Sequence, residues 1–189
     1  MDEGRSEKMG QILELAAERR REKQVVDVKV QTSLIVVFEL DPAGDGRTAP
    51  APQDEQYYGL PAPAVESIIA IDEITYVPGT PPWILGVVNV RGEIESVLDL
   101  KAVLGFVPAR LTPESRLLIA QEGELRSGLL VDRMVDIVEV PTSAISSAPT
   151  PLEGGKGIYV EGEAEYAGKP LVVLDLGEIL DRALAQDRV

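Results

Sequence analysis

The sequence predicts a mainly β protein built as two pseudo-repeated lobes, with a helix near each end of the chain. Three observations carry this. Short runs of branched apolar residues recur along most of the 189 residues, and Gly- or Pro-containing turn signals separate them at short intervals. Helical periodicity is confined to the margins. The two halves also echo each other: Tyr58-Gly59-Leu60 resembles Ser127-Gly128-Leu129 at an offset of 69, and "VESII" (65–69) resembles "VDIVEV" (135–140). "GVVNVRG" (86–92) resembles "GIYVEG" (157–162) at an offset of 71, and "VLDLKAVL" (97–104) resembles "VLDLGEIL" (173–180), with Asp99 and Asp175 offset by 76. The drifting offset fits two copies of one β-unit with loops of unequal length. A Val-rich unit of about seventy residues buries little surface alone and gains by packing on a twin.

The elements follow in order. Residues 5–23 place Met9, Ile12, Leu13 and Ala16 on one helical stripe, with Ser6 as N-cap and Arg19, Arg20, Arg21 and Lys23 near the C-terminus, a polarity that suits the helix dipole. Residues 1–24 therefore form an amphipathic arm, either packed on its own domain or free to dock on a partner. Strands are expected over 33–40 and 57–61, joined by "DPAGDGRTAPAPQDEQ" (41–56), a long loop with too little apolar content to fold alone. A strand over 64–71 precedes "VPGTPPW" (77–83), whose prolines impose an irregular turn. Trp83 enters either its own lobe or an interface. Strand-forming residues flank Arg91-Gly92, and "LKAVLGF" is a short helical turn ending near Gly105. Later strands are expected over 116–121, 127–140, 157–166 and 169–176. A C-terminal helix over 177–188 carries Ile179, Leu180, Ala183 and Leu184 on one face. Lobe one spans about 33–105 and lobe two about 116–182, with room for strands to be exchanged between them, and 183–189 is a tail.

Composition excludes several functions. Thirty-two acids against 18 bases give a net charge of −14, which repels phosphate backbones and anionic lipid heads, so neither nucleic acid nor direct membrane insertion is expected. No cysteine and no histidine means no disulfide, thiolate nucleophile, imidazole metal site or Ser-His-Asp triad. No run approaches eighteen apolar residues and the N-terminus lacks a signal-like apolar core, so a cytoplasmic protein is expected. "EGGKG" (153–157) lacks the features of a phosphate loop and reads as a turn, and the acidic stretches lack calcium-loop spacing. Asp99 and Asp175 each follow an apolar strand and are expected to cap the next helical turn. No catalytic residue, metal site or cofactor is predicted. From spacing alone, Arg91 is a solvated turn arginine, an internal ion-pair partner of Glu93 or Glu95, or a contact for another molecule.

The stretch "ITYVPGTPPWILGVVNVRGEIESVLDL" (74–100) closely resembles the signature of the CheW-type chemotaxis coupling proteins. Thr75, Pro78, Pro81, Gly86, Val87, Asn89, Arg91, Gly92, Val97, Asp99 and Leu100 hold the matching places. "GLLVDRMVDIVEV" (128–140) and "LVVLDLGEIL" (171–180) are similar to later parts of the family, so the resemblance covers about 33–182. It implies two five-stranded SH3-like β-barrels and no catalytic activity. It also implies a scaffold that couples the cytoplasmic tips of methyl-accepting chemoreceptors to the regulatory domain of a CheA-type histidine kinase, recruited to membrane-associated receptor arrays. The receptor contact carries over to Asn89, Val90, Arg91 and Gly92. A kinase contact is expected on an apolar face of the second lobe, at Leu130, Met134, Val135 and Ile137. Three positions depart from the family pattern: Glu66 stands one residue early in "VESI" and would point to the opposite sheet face, Glu95 replaces an apolar residue, and Ser96 replaces a proline. The other readings to be distinguished are a CheW-like adaptor in a non-chemotaxis pathway (surface motility or second-messenger control) and a carboxylate-based enzyme on a small substrate.

Overall fold

The structure, a computed structural model, describes residues 31–41, 56–71, 73–147 and 159–185. The N-terminal helix, most of the loop 41–56 and the "EGGKG" turn lie outside the described residues. The strands are β1 (Thr32–Glu39), β2 (Tyr57–Pro61), β3 (Val65–Ala70), β4 (Ile84–Val90), β5 (Glu93–Asp99), β6 (Arg116–Glu122), β7 (Leu125–Val131), β8 (Arg133–Pro141), β9 (Val160–Tyr166) and β10 (Lys169–Leu174). Two helices, α1 (Leu100–Val103) and α2 (Leu176–Ala185), follow β5 and β10. The ten strands make two five-stranded sheets, ordered β8-β1-β2-β10-β9 and β3-β6-β7-β5-β4.

These orders are the same pattern with the halves of the chain exchanged. Each sheet takes two strands from one repeat and three from the other. In one sheet Val173 pairs in parallel with Gly59, and in the other Val97 pairs in parallel with Gly128. The sheets therefore do not divide the chain at 33–105 and 116–182. Strand exchange is complete, and each sheet needs both halves. The chain changes sheet twice: between β2 and β3, over Ala62–Ala64, and at Asp132, where β7 ends in one sheet and β8 begins in the other.

The repeat also corrects one offset. Thr75 bridges Val87 and Ser146 bridges Glu163, so Gly86 corresponds to Gly162, 76 residues on, and not to Gly157. The two-residue turns agree with this register: Arg91 (φ 55) and Gly92 (φ 96) match Ala167 (φ 51) and Gly168 (φ 76).

Three apolar clusters hold the sheets together. Alternate residues of one strand face different clusters: Val36 and Phe38 point to the large core shared by both sheets, while Ile35 and Val37 point into the hollow of their own sheet with Leu171 and Val173. Likewise Leu118 and Ala120 face the shared core, and Leu117 and Ile119 pack with Val97 and Leu130. Burial on both faces explains why these strands read as unbroken apolar runs. At Gly59 and Gly128 neighbouring side chains pack so closely over the strand that an added Cβ would stand 2.5 Å from Ile35 Cγ2 and 2.8 Å from the Leu117 side chain. A side chain at either position would push a buried neighbour aside, which glycine avoids.

The helices seal the shared core. Asp99 Oδ1 accepts the Ala102 N–H at 3.1 Å and Oδ2 the Ala109 N–H at 2.8 Å, and Asp175 Oδ1 accepts the Glu178 N–H at 3.0 Å. Both aspartates are caps, as their position after a strand predicts. On α2, Ile179, Leu180 and Ala183 are buried. Trp83 is half-buried against the same core and donates its indole N–H to the Ala183 carbonyl at 3.1 Å.

Candidate interaction site

The β4–β5 corner is a two-residue hairpin with positive φ at both turn positions, the geometry whose twist matches flanking strands. A non-glycine residue at φ 55 is uncommon, and the corner is held to it. Asn89 Oδ1 accepts the Gly92 N–H at 2.8 Å, closing the loop, and Val90 packs beneath it in the core with Val97 and Leu130. The four predicted receptor-contact residues thus have different duties. Val90 anchors, Asn89 clamps, Gly92 turns, and Arg91 stands exposed on the outside.

Arg91 makes no hydrogen bond or ion pair among the described residues. The two acids that follow it are committed elsewhere. Arg126, on β7, bonds Glu66 at 2.9 Å and Glu93 at 3.0 Å, and also holds Glu95, whose side chain is 6% exposed. Loss of solvent acts to lower the Arg126 pKa, but the hydrogen bonds to Glu66 and Glu93 and the field of Glu95 outweigh it and raise it above its ordinary value. The internal-pair reading of Arg91 therefore falls.

The departures noted in the sequence belong to this arrangement. A register shift between Val65 and Ser67 makes Glu66 the extra residue of a bulge, and its carboxylate reaches Arg126. Glu95 occupies a buried position because the same guanidinium neutralises it. Ser96 shares a 2.7 Å hydrogen bond with Ser127, and the Ser127 hydroxyl also donates to the Ser96 carbonyl at 3.1 Å.

The second predicted surface needs correction. Leu130 is 1% exposed, packed with Val97, Leu117 and Ile119 inside the second sheet, so it is a core residue and cannot face a partner. Met134 and Val135 are half-buried on β8, and Ile137 is 50% exposed. β8 is an edge strand, and its outward backbone groups are the kind of template to which another strand adds. It is stiffly mounted: Arg133 forks onto Glu39 at 2.6 and 3.1 Å, and Asp136 accepts the Tyr166 hydroxyl at 3.0 Å.

Sequence reasoning missed the Arg126 cluster and, away from the corner, a buried pair. Lys101 Nζ, on α1, lies 3.1 Å from Asp132 Oδ2 with a side chain 2% exposed, and the same oxygen accepts the Asp41 N–H at 2.7 Å. The pair ties α1 to the second of the two junctions where the chain passes between sheets. The only cue was a lysine and an aspartate beside apolar runs, which does not foretell a contact across thirty-one residues.

Twin strand-exchanged sheets, capping aspartates and, on a rigid corner, an exposed guanidinium without a partner among the described residues define a module that works by contact. The chain belongs to the CheW-like domain family, which matches residues 53–184. It is 30% identical over 132 residues to the chemotaxis protein CheW of Bacillus subtilis (strain 168), covering 70% of this chain and 85% of that protein. It is 27% identical over 107 residues to protein PilI of Pseudomonas aeruginosa, covering 57% of this chain and 60% of that one. Among solved structures it is similar to the scaffolding protein TtCheW of Thermoanaerobacter tengcongensis, with a TM-score of 0.64 and 29% identity over 77% of this chain and 90% of that one. The protein is a CheW-like adaptor of chemotaxis-type signalling, and members of its family are scaffolds and not enzymes. The family match starts at 53, beyond β1, although β1 lies between β8 and β2. Among the described residues no helix is long and apolar enough to cross a membrane.

Proposed function

We propose that this adaptor couples the cytoplasmic tips of methyl-accepting chemoreceptors to the regulatory domain of a CheA-type histidine kinase, in the cytoplasm beneath a membrane-associated receptor array. The single observation that supports it most is Arg91: an exposed guanidinium, without a partner among the described residues, on a clamped corner. A guanidinium fork engages a carboxylate in two parallel hydrogen bonds, so an acidic residue on a receptor helix is its natural counterpart. Little backbone entropy is lost on docking, because the corner is already set by Asn89 and Val90.

Arg91→Glu is expected to abolish co-sedimentation with receptor tips while leaving the thermal midpoint unchanged, since the side chain is exposed and makes no hydrogen bond or ion pair among the described residues. Retained binding would remove Arg91 from the contact. The kinase is proposed to add along β8, over Met134, Val135 and Ile137. Met134 and Val135 also pack inward, so Ile137→Asp is the clean variant. It is expected to weaken capture of the kinase regulatory fragment at least tenfold, about 1.4 kcal/mol. Capture at full strength would rule out this edge.

A second reading places the same adaptor in a non-chemotaxis pathway. What leaves room for it is that two relatives, PilI and FrzA, the latter of Myxococcus xanthus and 33% identical over 96 residues, are not named as chemotaxis proteins. Pull-downs against kinases from both kinds of system, run side by side, separate the two.

A further inference from the structure

We propose that Arg126 is a positioning residue for the contact made by Arg91: by holding Glu66, Glu93 and Glu95 it keeps the corner's own carboxylates from occupying or screening the exposed guanidinium. The inference rests on the receptor reading of Arg91.

Glu93 lies two residues from Arg91 and Glu95 four, on the strand that leaves the turn. Glu66 comes from β3, at the opposite edge of the same sheet. Three carboxylates brought to one corner would make it a poor place for a cation intended for an outside acid. Unit charges a few ångströms apart near a protein surface interact by about 1–4 kcal/mol, enough to hold Arg91 down or to repel an approaching carboxylate. Arg126 resolves this. Its Nε bonds Glu66 at 2.9 Å, and its Nη1 serves both Glu93, at 3.0 Å, and Glu95. The acids are drawn along the sheet to β7, and Arg91 is left without a partner among the described residues.

The arrangement also separates the two cations by function. Arg126 is 30% exposed and engaged by three acids through Nε and Nη1, whereas Arg91 projects from the turn. A partner meeting this corner finds one cation free and the other committed. The sheet face beside Arg91 retains the excess negative charge of three acids on one base. Such a corner accepts a discrete carboxylate aligned with Arg91 and disfavours a broadly acidic surface, so Arg126 and its acids also set specificity.

The test uses the full chain and a purified cytoplasmic tip fragment of a methyl-accepting receptor. Because Arg126→Gln alone would leave Glu95 buried without a counter-charge, the starting variant is R126Q/E95Q. It removes the guanidinium and its one buried acid but leaves Glu66 and Glu93 free, their side chains 43% and 70% exposed. Tip binding is expected to weaken about fivefold relative to wild type, an effect that fades as added salt screens exposed charges. Adding E66Q and E93Q to that variant is expected to restore affinity without moving the thermal midpoint, since both positions are exposed. A merely structural role for Arg126 would predict no such restoration. If R91E abolishes binding but R126Q/E95Q binds as wild type, or the quadruple variant binds as weakly as the double, the inference is overturned while the receptor reading stands. If R91E itself binds normally, both fall.

Discussion

Gly86→Ala is expected to cost about 3 kcal/mol or more, adding backbone strain to a steric clash. At φ 144 the backbone adopts a conformation that side-chain-bearing residues rarely take. A Cβ there would lie 2.1 Å from the Thr75 carbonyl oxygen and 2.8 Å from its carbon. Backbone cannot swing aside as a side-chain tip can, so the strand 84–90 would have to separate from the segment at Thr75. Two hydrogen bonds hold that segment, Thr75 N–H to the Val87 carbonyl and Val87 N–H to the Thr75 carbonyl, each 2.9 Å. Gly92→Ala is the control. Its φ is 96, but nothing lies within 4 Å of an added Cβ, so only the strain of roughly 1 kcal/mol remains. Urea unfolding of both variants decides the matter. Equal losses would mean that the bridge at Thr75 yields freely and that the close approach plays no part in stability.

Asp132→Ala is the second large loss, about 3 kcal/mol, because it leaves the Lys101 ammonium buried with no counter-charge. It also removes the acceptor of the Asp41 N–H. The two sides of the pair are not equivalent. Asp132 is 22% exposed and keeps a hydrogen-bond donor if Lys101 is removed, whereas Lys101 is sealed in. Lys101→Met, which fills the same space without a charge, is therefore expected to cost no more than about 1 kcal/mol. The same denaturation measurement tests the asymmetry. If the two variants lose equal stability, the lysine is better solvated than its burial implies, and the pair is an ordinary surface bridge.

Much of the element order was legible from local pattern. The apolar runs at 33–40, 57–61, 64–71, 116–121 and 169–176 lie within two residues of β1, β2, β3, β6 and β10 at either end. The capping aspartates and the turn at Arg91-Gly92 were legible for the same reason: each depends on residues within a few positions. The third repeat landmark was not, because glycines at 157 and 162 are alike in sequence, and only the bridge from Ser146 selects Gly162. Nor was the burial of Leu130. The run "SGLLVDRMVDIVEV" carries branched residues throughout, and nothing local marks Asp132 as the point where the chain leaves one sheet for the other.

The candidate site divides the same way. The resemblance at 74–100 pointed to Arg91, but whether Glu93 or Glu95 neutralised it depended on Arg126, thirty-one residues beyond Glu95. The departures Glu66, Glu95 and Ser96 looked like separate losses of pattern. In three dimensions the first two share a guanidinium, and the third hydrogen-bonds Ser127 on the neighbouring strand.

By itself the chain determined where strands and turns fall, that it carries two copies of one unit, and that chemistry needing histidine or cysteine is beyond it. These follow from spacing and inventory, which short-range sterics and side-chain type control. The exchange of strands between copies, the sealed Lys101–Asp132 pair and the freedom of Arg91 were decided only when distant segments met. Strand pairing and ion pairing act across space, and a residue's own neighbours in sequence do not encode which partner arrives.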